Sequence, residues 1–239
     1  MGNSILIASG KGGSGRTTFA IAMGIGLAKK GYKTCLVDLN LGLRNLDIYI
    51  GLEDRVIFDI GDIMAGICKV EKAVIKHNKQ ENLFLLESTQ NKLIKGLTEG
   101  HVKALINQLK SVYDYVIIDG PSAIGIDLNL AAAGADSAVI VCTPDPLSLR
   151  NSDAVDRRLS ACGVKSRCFI INMVRRGMTD SNYGPTLEDF THQLDIPMAG
   201  IIPYDENIEI GNNVGRSVFF EEASYIAQNI DDIITRMLG

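Results

Sequence analysis

Gly10-Lys11-Gly12-Gly13-Ser14-Gly15-Arg16-Thr17-Thr18 is the stretch on which the reading of this chain turns. An apolar run, Ile5-Leu6-Ile7-Ala8, leads into it, and a helix-forming stretch from Phe19 to Lys30 leads out. Strand, glycine-rich turn and helix, in that order, predict a phosphate-binding loop. Glycines let the backbone curl with its N–H groups inward, and the helix N-terminus adds partial positive charge where a phosphate would sit. Thr17 is placed to offer its hydroxyl to Mg²⁺. One letter departs from the pattern G-x-x-x-x-G-K-[ST]: position 16 is arginine, not lysine. A glycine-rich pattern alone arises by chance in a chain with 24 glycines. Here the strand, four glycines in six residues, a basic residue and paired threonines fall in register.

Beyond the loop the apolar runs continue. Lys33–Asp38, Asn82–Glu87, Tyr115–Asp119, Ala138–Cys142, Cys168–Asn172 and Met198–Ile202 read as further strands, with helical patterns between most of them. Short helices are expected over about Asp59–Ala65 and Val70–His77. Thr98-x-x-His101 opens an amphipathic helix carrying Val102, Leu105, Ile106 and Leu109. Continuous apolar strands alternating with helices predict an α/β fold of three layers, a mostly parallel twisted sheet of about seven or eight strands covered on both faces by helices. No internal repeat, low-complexity tract or linker divides residues 1–239, so one domain is expected. In such sheets ligands sit beyond the carboxyl ends of the strands. The polar residues there are the loop at 10–18, Asp38, Asn40, Asp119 and Asn172. Turn or helix capping would explain Asp38 or Asp119 singly, but less readily the whole set.

The 239 residues carry a net charge of −4, which gives no general drive toward nucleic acid or an anionic membrane. Five cysteines form no C-x-x-C pair. The odd count, without a secretory signal, predicts a cytoplasmic protein with free thiols, Cys35 and Cys142 buried. No apolar stretch approaches the roughly 20 residues needed to span a bilayer.

Lys11-Gly12-Gly13-Ser14-Gly15-Arg16-Thr17 resembles the deviant Walker A motif, K-G-G-x-G-K-T, of the ParA/MinD family of P-loop ATPases. Asp38-Leu39-Asn40-Leu41-Gly42-Leu43-Arg44-Asn45-Leu46-Asp47 is similar to the D-x-D-x-G-L-R-N-L-D segment of the MinD branch, and Ile117–Pro121 resembles its Walker B end. Arg150–Asp153 and Ile202–Asp205 fall where that branch carries similar stretches, so the likeness runs from about residue 4 to about 220. It implies a P-loop NTPase fold with ATP or ADP and Mg²⁺ as cofactors. Gly12, Gly13, Ser14, Gly15, Arg16, Thr17 and Thr18 would hold the phosphates, and Thr17 with Asp119, the latter through water, would hold the metal. Asn172, Pro203 and Asp205 would lie against adenine. Lys11, Asp38 and Asn40 are the catalytic candidates, Lys11 reaching across a nucleotide-sandwich homodimer to the partner's phosphates. The implied role is an ATP-dependent dimeric switch in cell-division site placement, with MinC- or MinE-like or other positioning proteins as partners.

Several letters depart from the family. Arginine at 16 is a longer, planar fork in place of a compact charge, which predicts weakened ATP binding. Asn40 replaces the aspartate that positions and polarises the attacking water, and an amide is a far poorer proton acceptor. Pro121-Ser122-Ala123 replaces P-A-G, and Asn151 replaces an acidic residue. Together these predict weak hydrolysis, or a catalytically silent positioning scaffold of the kind used in flagellar or pilus placement. The C-terminal stripe of Phe219, Ala223, Ile226, Ile230, Ile233 and Met237 carries net acidic charge and is expected to pack on the sheet. Peripheral contact with the inner membrane would then need a basic amphipathic helix beyond Gly239. A ParA-like role on DNA is disfavoured by the missing basic stripe, and a metal-cluster role by the unpaired cysteines.

Overall fold

Alternation within the apolar strands decides which helices cover which face. The computed structural model describes residues 1–90, 94, 96–121, 124–178, 184–221 and 224–238. Its elements, in order, begin with β1 (Asn3–Ala8), α1 (Arg16–Lys29), β2 (Thr34–Asp38), α2 (Leu46–Ile50), α3 (Ile60–Met64) and α4 (Val70–Ala73). Next come β3 (Ile75–Lys76), β4 (Leu83–Leu86), α5 (Glu99–Lys110), β5 (Tyr115–Asp119), α6 (Ile126–Ala132) and β6 (Ser137–Cys142). The chain continues through α7 (Pro146–Ala161), β7 (Ser166–Val174), α8 (Leu187–Gln193), β8 (Met198–Pro203), α9 (Glu206–Asn213) and α10 (Tyr225–Leu238). The strands form one eight-stranded sheet in the order β3-β4-β2-β5-β1-β6-β7-β8, parallel throughout except for β3 against β4.

Successive strand residues face opposite layers. Leu6, Val37, Ile118 and Ile140 pack with Val102 and Ile106 of α5, Leu128 of α6, Val155 of α7 and Phe190 of α8. Ile5, Ile7, Leu36, Ile117 and Val139 face the other way, onto Phe19, Ile21 and Ile25 of α1 and Ile230 and Ile233 of α10. Both layers of strand side chains are therefore dry, which is why the runs read as continuous rather than alternating. The helices are started by local chemistry. Thr98 and His101 form a capping box for α5, and Asp145 accepts the Ser148 N–H ahead of Pro146 at the start of α7.

Two expectations about boundaries need correcting. The helix expected over Val70–His77 stops at Ala73, because Ile75 and Lys76 pair antiparallel with Leu85 and Phe84 and add the eighth strand at the sheet edge. The helix after the phosphate loop starts at Arg16 rather than Phe19, since Gly15 turns into it with a left-handed φ of 86°.

The acidic C-terminal helix closes the sheet, as its stripe implied. In α10 Ile226, Ile230, Ile233 and Ile234 are buried, against α1 and β8. Close approach depends on two glycines: a Cβ on Gly26 of α1 would lie 2.5 Å from Ile234 Cδ1, and one on Gly200 of β8 2.6 Å from Ile233 Cγ1. One of its acids is paired at the surface, with Lys30 Nζ 2.7 Å from Asp231. Ile233→Ala is expected to cost about 2–5 kcal/mol by cavity formation, read as a lower urea midpoint with an unchanged m-value. Among the described residues no helix is long and apolar enough to cross a membrane.

Candidate nucleotide site

The order of strands reverses at β1, whose neighbours β5 and β6 lead to opposite halves of the sheet. Crevices of doubly wound sheets open at such a point, and the loop at residues 10–15 lies there. Gly13 and Gly15 take φ of 74° and 86°, where side chains are disfavoured. The loop is held from two other elements. Asn172 of β7 donates its amide N–H to the Ser14 carbonyl at 2.8 Å, and Asn151 of α7 donates to the Gly10 carbonyl at 2.8 Å. Beside it opens a cleft of about 570 Å³. Gly12 to Thr18 form its floor, Asn40, Leu43, Asn45 and Tyr49 one wall, and Asn172, Pro203, Tyr204, Asp205 and Asn212 the other.

Beneath the loop, Thr17 Oγ1 donates to Asp119 Oδ2 at 2.7 Å. Arg16 turns the same way. Its Nε lies 3.1 Å from Asp119 Oδ1 and its Nη1 3.3 Å from Ser9 Oγ, with both charged side chains buried. Burial pushes the Asp119 carboxyl up, and Arg16 and Thr17 pull it partly back. The arginine thus lines the cleft floor while its guanidinium serves as counter-ion to the strand-end carboxylate. A hydroxyl and a carboxylate at a strand end are donors suited to Mg²⁺. Asp38 Oδ2, buried and without a hydrogen-bond partner among the described residues, adds a further oxygen beside them. The residues present therefore fit a magnesium ion, in competition with Arg16 for one Asp119 oxygen.

Asp38 closes β2 and accepts the Asn40 N–H at 2.7 Å. Burial, then the nearby Glu87 and Asp119, push its carboxyl well above the usual carboxylate range, while backbone N–H groups of Asn40 and Asn45 oppose the shift. Asn40 is nearly buried and lines the cleft. Lys11 points elsewhere: its ammonium lies 2.8 Å from Asp145, whose carboxylate also receives the Thr143 hydroxyl at 2.6 Å. Burial works against the ionised form of Asp145, but the bonds from Lys11 and Thr143 outweigh it and hold the carboxyl below its ordinary value.

The fold therefore brings the predicted residues to one rim: the loop, Asp38, Asn40, Asp119, Asn172, Pro203 and Asp205. Sequence reading missed Glu87, whose carboxylate is buried beside Asp38, and Asp145, the partner of Lys11. It also missed Asn212, whose amide donates to Thr18 Oγ1 at 3.1 Å from the opposite end of the chain. No motif marks these three; the run Glu206–Asn213, rich in acids and amides directly after Asp205, was the available signal for the last. The substituted Ser122 and Ala123 lie outside the described residues, as does Ala223 of the C-terminal stripe.

Strand order, loop and crevice define a P-loop NTPase fold of the doubly wound α/β class. A family model described as an AAA domain matches residues 2–159. The septum site-determining protein MinD of Synechocystis is 37% identical over 93% of this chain and 84% of its own length. That of Thermotoga maritima is 34% identical over 100% of this chain and 89% of its own. Among solved structures, MinD in the MinC:MinD complex of Aquifex aeolicus superposes with a TM-score of 0.91 at 32% identity, covering 99% of this chain and 96% of that one. The Mg-ADP complex of MinD from Pyrococcus horikoshii gives 0.87 at 27% identity, covering 98% and 95%. The chain belongs to the MinD family of septum site-determining proteins.

Proposed function

We propose that this chain is a nucleotide-dependent switch of the MinD kind, acting in placement of the division septum, with slow ATP hydrolysis. The observation that carries the reading is the Thr17–Asp119 pair beneath a glycine loop that floors a cleft of nucleotide size. Loop N–H groups from Gly12 to Thr17 would bind the phosphates. Thr17 and Asp119 would hold Mg²⁺, which neutralises phosphate charge when bound. Asn172, Pro203 and Asp205 would border the base.

The slow step follows from two side chains. Arg16 is committed to Asp119, so it must leave a buried ion pair before its charge can meet a phosphate. Asn40 can orient a water by hydrogen bonding but supplies no negative charge to accept its proton. Lys11, released from Asp145, would reach the phosphates of a second copy and stabilise charge there. A MinC-like protein is the corresponding partner for the dimer.

Isothermal titration with Mg-ATP, with size-exclusion chromatography of the same samples, tests the reading. Micromolar affinity and a shift to dimer are expected; absence of both would remove the switch. Lys11→Ala is expected to bind nucleotide yet stay monomeric. A dimer that persists in that variant would take Lys11 out of the interface.

A further inference from the structure

Glu87 stands directly after β4, fully buried, in a part of the rim that neither phosphate binding nor metal binding uses. Its Oε1 accepts the Asp47 N–H at 2.6 Å and its Oε2 the Ser88 N–H at 3.0 Å. Helix α2 receives no side-chain cap from its own Asn45, so a carboxyl delivered from another strand satisfies one of its first N–H groups. The surrounding backbone continues the tie. The Gly42 N–H donates to the Thr89 carbonyl and the Ile60 N–H to the Glu87 carbonyl, each at 3.0 Å. Residues 40–45 lead from Asp38 into α2 and carry the Asn40, Leu43 and Asn45 wall of the cleft.

We propose that Glu87 is the positioning residue of this wall: its buried carboxyl holds residues 42–47 in the arrangement that shapes the cleft. The functional part of the proposal rests on the cleft being the nucleotide site. The groups facing Glu87 are Asp47 and Arg44 from the wall and Asp38 from the end of β2. Burial, then the Asp47 charge, push the Glu87 carboxyl up to about 8, against the Asp47 and Ser88 N–H groups and Arg44. Freed into water the same group titrates near 4.5. The held arrangement is therefore the one that keeps the proton. The hold is full below about pH 4.5, weakens as pH rises toward about 8 and changes no further above it.

The test is hydrogen exchange at the Asp47 amide near pH 5.5 and near pH 7.5, corrected for intrinsic rates, with affinity for a fluorescent ADP analogue measured alongside. Native protection should fall roughly tenfold for each pH unit between about 5 and 8 and level off above. Glu87→Gln keeps an acceptor for Asp47 without the charge, so its protection should be flat with pH. Glu87→Ala should lose about tenfold or more at both values, with a comparable loss of affinity. A Gln variant that keeps the native pH dependence, or a folded Ala variant with native protection, would overturn the proposal. A native chain that binds no ADP analogue would instead sink the nucleotide reading, leaving the exchange data to decide Glu87.

Discussion

Arg16→Lys combined with Asn40→Asp raises steady-state ATP turnover by roughly tenfold or more over the native chain, measured as phosphate release at saturating Mg-ATP. The expectation has two sources. Lysine is shorter and offers a compact, rotatable charge rather than a planar fork, so it is less well matched to the Asp119–Ser9 bracket and freer to meet a phosphate. Aspartate at 40, next to the cleft, adds the negative charge that a positioned general base requires, a role that contributes about 10²–10⁴ where it operates. The single variants should separate the effects: Arg16→Lys chiefly lowers KM, and Asn40→Asp chiefly raises kcat. Unchanged turnover in the double variant would mean that neither side chain limits hydrolysis.

The second large effect is on stability. Arg16→Met removes the cation from a pair in which both side chains are buried, leaving the Asp119 carboxyl without its counter-ion in an apolar sheet. Breaking such a pair from one side costs about 3–5 kcal/mol, which for a chain of this size lowers Tm by about 10 °C. The pH dependence has a definite sign. With the arginine gone, burial dominates and the Asp119 carboxyl rises further above its unfolded value. The folded state then retains a proton that the unfolded chain gives up, so stability is lost as pH rises through the raised pKa. The variant should therefore be least impaired in mild acid and most impaired above neutrality, by calorimetry at several pH values. A further change, Asp119→Leu in the Arg16→Met background, should recover much of the loss, because no buried charge remains. Equal Tm for the native chain and Arg16→Met would show that the ion pair contributes nothing to stability.

The sheet was legible because its signal is local. Seven strands are uninterrupted apolar runs, and those ending in Asp38, Asp119 and Asn172 announce the rim. The eighth was not, because Ile75–Lys76 is two residues long and exists only through pairing with β4. Residue types at the loop could be read, but their directions could not. A cation at position 16 reads the same whether it faces a phosphate or turns beneath the loop. What settles the matter is Asp119, brought under the loop by the pairing of β1 with β5. Lys11 meets Asp145, and Glu87 meets the Asp47 backbone, across separations of 134 and 40 residues. Glu87 in particular reads as an ordinary strand-end acid, and only burial distinguishes it.

The docking of α10 on α1, through Gly26 and Ile234, has a kinetic side. The helix that begins at the phosphate loop has part of its apolar surface covered by residues from the far end of the sequence. Such a contact closes a loop that spans most of the chain, and its entropy must be met before the packing rewards it. Native-like exchange protection along α1 should therefore mature late, after the central strands β1, β5 and β6 have paired. During synthesis a ribosome-bound chain would hold a sheet already formed beside a first helix still partly bare. Changes in α10 such as Ile233→Ala should then act mainly by speeding unfolding, leaving the refolding rate nearly unchanged.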